Sequence, residues 1–196
     1  VNVVDGNTIT AQWEKNLGGI FDQKTVLQIG SDAFANNPGC WGSDGAGVGN
    51  CYNTDPSQDG LTGTRLFNNG TWNFSDRFKM NTMVMIEDVD NTRDVTSIGI
   101  RPHFQLSSPY WSVLGEIGIN EVEPAGGAAQ KLQKTTLALQ VTADASNFWE
   151  RPSLRFFVSM FDWNDAAATG NPGLTVAGQP GQTDDIIWGA QGEFWF

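Results

Sequence analysis

Charge is scarce in this sequence: Asp, Glu, Lys and Arg make up 17% of its 196 residues, against a usual quarter. Positive charge is scarcer still, with 11 Lys and Arg facing 22 Asp and Glu. A nucleic-acid binder needs a basic face to displace counterions from phosphates, so no nucleic-acid partner is expected. Adsorption to anionic lipid headgroups is disfavoured on the same ground. Long apolar runs are missing too. The longest, such as Met83-Val84-Met85-Ile86 and Phe156-Phe157-Val158, span only a few residues, whereas a membrane-crossing helix needs about 20. The opening residues, Val1-Asn2-Val3-Val4-Asp5-Gly6, lack the positive start and apolar core of a signal peptide. Either a leader has been removed or the chain begins partway through a longer polypeptide.

Metal ligands are few. Cys40 and Cys51 have no Cys-x-x-Cys spacing and no His beside them, so zinc is not expected. A local disulfide between them, closing a loop in an oxidising compartment, is favoured over two free thiols. His103 alone makes no metal site. Asp88-Val89-Asp90-Asn91 has neither the Gly nor the distal Glu of a calcium loop. No metal or cofactor is assigned. What the chain does have is 23 Gly and 8 Trp, a mixture suited to a β protein that faces something apolar or stacks on sugar rings.

Helical periodicity is nearly absent and strict alternation is common. Leu154, Phe156, Val158 and Met160 fall on one face of a strand from Trp149 to Phe161; Trp149, Arg151, Ser153, Arg155, Phe157 and Ser159 fall on the other. The same pattern recurs in Arg77–Glu87, Ser97–Leu106, Trp111–Glu121, Lys134–Thr142 and Asp185–Phe196. Weaker strands fit Thr8–Glu14, Lys24–Gly30 and roughly Thr62–Asn69. That makes about nine strands, longer than the five or six residues usual in soluble sandwiches. Ten-residue alternating segments are what a tilted bilayer crossing requires. Pro102 and Pro152 fall inside two of these strands, an awkward place for a ladder. Short connections alternate with longer ones rich in Gly, Asn, Asp and Pro, as in an outer-membrane barrel. The fold expected is all-β, a transmembrane antiparallel barrel.

The chain closes on Trp188-Gly189-Ala190-Gln191-Gly192-Glu193-Phe194-Trp195-Phe196, a terminal Phe with apolar or small residues at every second position before it. Taken in order with Gly99-Ile100-Arg101-Pro102, Gly115-Glu116-Ile117-Gly118-Ile119-Asn120-Glu121-Val122 and Trp149-Glu150-Arg151-Pro152-Ser153-Leu154-Arg155, this ending resembles the C-terminal half of the maltoporin family of sugar-specific trimeric porins. The resemblance is clearest from about Arg93 to Phe196. It implies that residues 1–196 are the C-terminal portion of an 18-stranded barrel in the bacterial outer membrane, with long extracellular loops near 31–61 and 164–183. The N-terminal half of the barrel or a completing chain would be needed, and the assembly would be a homotrimer. The partners implied are the outer-membrane bilayer and an oligosaccharide, with maltodextrins passing along an aromatic slide flanked by polar tracks. Trp149 and Trp195 match slide tryptophans. The strand Lys24–Gly30 carries a further aromatic in the family, and Thr25 stands there.

Alternation agrees with these roles. With Phe156 and Val158 turned to lipid, Trp149 faces the lumen with Arg151 and Arg155; with Phe194 and Phe196 outward, Trp195 points inward beside Gln191 and Glu193. Arg101, Arg151, Arg155, Glu116 and Glu193, with His103, either line a sugar track or form a charge ladder that keeps the wall polar. Trp13, Trp72, Trp111 and Trp188 fit aromatic girdles or the lipid face. Glu116 and Glu193 as a glycosidase pair would need a fixed separation that sequence does not show, and no enzyme activity is expected. Two other readings remain open at this point: a less selective porin, and a soluble β-sandwich that binds carbohydrate.

Overall fold

Period-two patterning becomes nine strands in a computed structural model that describes residues 6–32, 34–35, 59–170 and 182–194. In chain order they are β1 (Gly6–Leu17), β2 (Phe21–Asp32), β3 (Thr62–Asn73), β4 (Phe78–Val89), β5 (Arg93–Gln105), β6 (Trp111–Pro124), β7 (Gln130–Thr142), β8 (Ser153–Trp163) and β9 (Asp184–Glu193). All nine belong to one antiparallel sheet, each strand beside its sequence neighbours, with β1 and β9 at the two ends of the order. The shortest has 10 residues and the longest 14, so each reaches the length of a tilted bilayer crossing. A single short helix, α1 (Asp165–Gly170), follows β8. Among the described residues no helix is long and apolar enough to cross a membrane.

Register turns the alternation into two chemically opposite faces. On one, the line Val113, Leu139, Phe156, Ala190 runs across four strands; on the other, one residue away, runs Ser112, Gln140, Arg155, Gln191. Burial is inverted relative to a water-soluble sheet. Glu87, Ser97, His103, Ser112, Gln140 and Ser159 are buried, whereas Ile98, Ile117, Leu137, Phe156, Val158 and Phe194 are exposed. Water would drive the apolar set inward. Exposing that set while shielding the polar one suits a sheet whose outer solvent is hydrocarbon. Among the described residues no second sheet covers the apolar face, which removes the soluble-sandwich reading.

Aromatic rings gather at one margin of the apolar face. Phe21, Trp72, Phe74 and Phe78 stack in sequence, with centroids 3.9, 6.3 and 5.4 Å apart. Trp13 and Trp111 stand exposed at the same strand ends, as a membrane-interface belt requires; Trp188 lies farther along the apolar face, 83% exposed. This margin carries the tight connections 18–20, 74–77 and 106–110 together with the longer 143–152. Gly18 and Gly19 turn the first of them, both at positive φ, a conformation glycine adopts without strain. The two longest connections, 33–61 and 164–183, share the opposite margin with 90–92 and 125–129.

Two expectations about proline change. Pro152 precedes β8 rather than interrupting it, because the strand begins at Ser153 and Trp149–Pro152 belong to the connection. Pro102 does lie inside β5, and the ladder to β6 skips Arg101 and Pro102 before resuming at His103. Gly115 lies alongside on β6, where an added Cβ would come within 3.2 Å of the Pro102 ring. A side chain there would crowd the proline, so the glycine leaves it room.

Candidate functional site

Three carboxylates organise the polar face, each gripped by two cations. At the centre, Glu116 on β6 accepts hydrogen bonds from Arg101 Nε at 2.8 Å and Lys134 Nζ at 2.7 Å. Glu193 on β9 is paired with Arg151 and with Arg155, whose Nη1 lies 2.6 Å from Oε1; Arg155 Nε also donates to Gln140 Oε1 at 2.5 Å. Glu87 on β4 lies between Arg65 Nε at 2.7 Å and Arg93 Nη2 at 3.0 Å. Charge-assisted bonds of this length fix side chains that would otherwise sweep through solvent. The wall is therefore both charged and ordered.

Of the residues singled out from sequence, Arg101 and Glu116 meet in one cluster, and Arg151, Arg155 and Glu193 meet in a second. Sequence reading missed Lys134 as the third member of the first cluster, and missed the Arg65–Glu87–Arg93 cluster altogether. The parity of all four was visible, but which polar-face residues touch depends on register. Phe157 and Phe161 also share this face, lining a groove with Arg101, Glu116, Lys134 and Gln191.

Trp149 reaches the polar face by a different route from the one expected. The connection 143–152 is drawn inward instead of hanging from the sheet margin. Ala145 N donates to Pro109 O at 2.7 Å, and both Ala145 and Phe148 are buried. The Phe148 ring stands edge-on to His103, centroids 5.6 Å apart, and Trp149 packs edge-on to Phe148 at 4.9 Å. Asn147 Oδ1 accepts from Trp149 N at 3.1 Å, and Ser146 N donates to Asp144 Oδ1 at 2.8 Å. Hydrogen bonds from the Ser146 side chain and backbone hold the Asp144 carboxyl below the usual carboxylate range. With its base fixed, Trp149 remains 51% exposed.

That exposed indole borders two grooves. One is lined by Glu14, Asp22, Lys24 and Asn69 of β1 to β3, and the other by Asn81, Arg101, Glu116 and Lys134 of β4 to β7. In a flat sheet β1 and β6 would lie about 24 Å apart. One side chain borders residues of both, so the sheet curls around the tryptophan. Stacking area and fixed hydrogen-bonding groups thus face a common concave space, which suits a ligand with apolar C–H faces and a polar equator.

The remaining expectations divide. Trp195, Cys40 and Cys51 lie outside the described residues. Thr25 is not on the polar face at all: it shares parity with Leu27 and Ile29, both exposed, and accepts a hydrogen bond from Asn68 at 2.8 Å. Its failure to be aromatic therefore says nothing about the inner surface. Across from Val26, the polar-face neighbour is Phe67 of β3. Among the described residues no cluster of three or more His, Cys, Asp and Glu has a metal-holding arrangement.

A concave polar face, an apolar face whose charges keep to its margins and an aromatic belt describe a wall between water and lipid. The sequence model of the LamB porin family matches residues 1–196. The chain belongs to this family. LamB porins are sugar-transporting channels of the bacterial outer membrane, homotrimeric as a kind, and the family is not one of enzymes. In this LamB porin the polar face is accordingly the lumenal one and the apolar face meets lipid.

Proposed function

We propose that this chain builds part of a channel for passive diffusion of maltodextrins or other oligosaccharides, with Trp149 and Trp195 as stacking surfaces. The half-exposed indole of Trp149 beside the Arg101–Glu116–Lys134 cluster carries the proposal. A pyranose rests its C–H face on the ring while its hydroxyls exchange water for the fixed donors and acceptors of Arg101, Glu116, Arg151, Arg155 and Glu193. That exchange is nearly neutral in free energy, so the sugar is held without being trapped. Repeated weak contacts are what conduction needs, because a site must release what it binds.

The barrel itself needs partners for β1 and β9. Unpaired backbone groups at a sheet edge in hydrocarbon cost several kcal/mol each, so we assign these nine strands to a portion of an 18-stranded barrel within a homotrimer. The segments near 31–61 and 164–183 are then extracellular loops, and a Cys40–Cys51 disulfide would close the first.

The test is sugar block of ion current through the full porin in a planar bilayer. Maltopentaose should reduce conductance saturably. Trp149→Ala should weaken that block about three- to tenfold, the loss of one aromatic stacking contact. Absence of block, or block unchanged by the substitution, would reject the role of Trp149. Equal current reduction by unrelated sugars would favour a less selective porin instead.

A further inference from the structure

The connection 143–152, which carries Trp149, is stiff within itself and lightly fastened to the wall. Its own hydrogen bonds knit it together: Asn147 N donates to Asp144 O at 3.3 Å, Glu150 N to Asn147 O at 3.2 Å, and Asn147 Nδ2 to Glu150 Oε2 at 2.9 Å. From Ala143 to Glu150, among the described residues, one hydrogen bond reaches the wall, from Ala145 N to Pro109 O. Otherwise the segment rests on the buried Phe148 ring against His103, and on an attraction between Lys79 and the exposed Asp144 carboxylate. Water screens that attraction. The next firm tie is the ion pair of Arg151 with Glu193, at the foot of β8.

The wall beneath is poorly matched to what covers it. Among the described residues, buried side-chain atoms without a hydrogen-bond partner are confined to this place: both ring nitrogens of His103, Ser112 Oγ, Gln140 Nε2, Thr142 Oγ1, Arg151 Nε and Ser153 Oγ. Register gathers them into one block, with Ser112 opposite Gln140, Thr142 opposite Ser153, and His103 one step away opposite Leu114. Elsewhere on the same face polar side chains pair, as Asn120 does with Ser97 at 2.6 Å and Thr136 with Ser159 at 2.7 Å. Covering polar groups without bonding them costs free energy that wetting would return. Burial of Phe148 and Ala145 works the other way. These opposed terms act on a piece held by one backbone hydrogen bond and one ring, the condition under which a segment opens locally. We propose that residues 143–150 form a hinged strap that docks on the lumenal wall and lifts from it, with Phe148 as its latch, carrying Trp149 with it. Docked, the indole borders both grooves; lifted, it leaves them and the polar block meets water. A sugar stacked on the docked indole draws the equilibrium toward docking. That coupling rests on the proposed sugar-channel function; the hinge itself does not.

The experiment reads the exposure of position 112 in the full porin, because Ser112 is fully buried when the strap is docked. Ser112→Cys is treated with methyl methanethiosulfonate, and Gln12→Cys, exposed on the same face, is the reference for an open site. The parent porin in parallel corrects for Cys40 and Cys51. Ser112→Cys should react about 10- to 1,000-fold more slowly than Gln12→Cys, reflecting the fraction of time the strap is lifted. Phe148→Ala should speed that reaction at least about tenfold, the low side of what losing a buried Phe costs. Phe148→Leu, which keeps the seat filled, should speed it about two- to tenfold. The Gln12→Cys rate should hold in both backgrounds. Saturating maltopentaose should slow labelling of Ser112→Cys more than that of Gln12→Cys. A Ser112→Cys thiol that never reacts, or reacts at one rate whatever stands at position 148, overturns the strap; the Leu variant decides this if the Ala variant does not fold. Maltopentaose that blocks current yet leaves this labelling unchanged overturns the coupling alone. If maltopentaose blocks no current, the sugar-channel reading fails, and the Phe148 variants still decide the strap.

Discussion

Placing one charge on the apolar face is the sharpest test of which side meets lipid. Val158 lies mid-strand in β8, with Leu137 of β7 on one side and Trp188 of β9 on the other. These neighbours are 58% and 83% exposed, and Phe156 and Met160 flank Val158 along its own strand. No carboxylate stands in this row, so an arginine there has neither a partner nor water. The cost of Arg on the lipid face of a barrel is about 2–4 kcal/mol at the bilayer midplane, which lowers the folding equilibrium constant about 30- to 800-fold. Gln12→Arg is the control, because Gln12 is exposed on the lumenal face and already hydrogen bonds to Glu14 at 2.7 Å. That variant should cost well under about 1 kcal/mol, as exposed ion pairs do. Equilibrium urea unfolding of the full porin from lipid vesicles measures both. If Val158→Arg is no more destabilising than Gln12→Arg, the assignment of faces is wrong.

Two further outcomes follow from local geometry. Glu87 is 2% exposed between two guanidinium groups, so Glu87→Gln leaves Arg65 and Arg93 repelling one another; a loss of about 2–3 kcal/mol in urea unfolding is expected, at or below the range for breaking a buried pair because both arginines are partly solvated. A cost under about 0.5 kcal/mol would count against a structural role for that cluster. Gly63→Ala should be far more destabilising than Gly118→Ala. A Cβ on Gly63 would fall 1.8 Å from the Ala35 carbonyl oxygen, whereas on Gly118 the nearest neighbour is 3.9 Å away. Equal thermal stability of the two variants would show that Ala35 does not pack there.

The faces of the sheet were legible because alternation is a local property. Leu154, Phe156, Val158 and Met160 announce one side wherever the strand ends. Contacts between strands were not legible in that way. Arg65 and Glu87 are separated by 22 residues, and only the β3–β4 register makes them neighbours. Thr25 shows the opposite hazard, since a comparison along the sequence put a lumenal aromatic where parity points outward. Trp149 borders the polar face from a connection and not from a strand. Its position comes instead from Phe148 and Ala145 anchoring the inward-drawn connection, a tertiary arrangement without periodic trace.

Each strand is hydrogen-bonded only to the strands before and after it in the chain. Assembly can therefore proceed as a relay of hairpins, every new strand templated by the last. Loop closure is cheap at the three- to five-residue turns and rises only logarithmically with span, so the two long connections delay the relay without breaking its order. Pairing between sequence neighbours favours zipping over a search for distant partners, and the step that remains non-local is the joining of the first and last edges to whatever closes the ring.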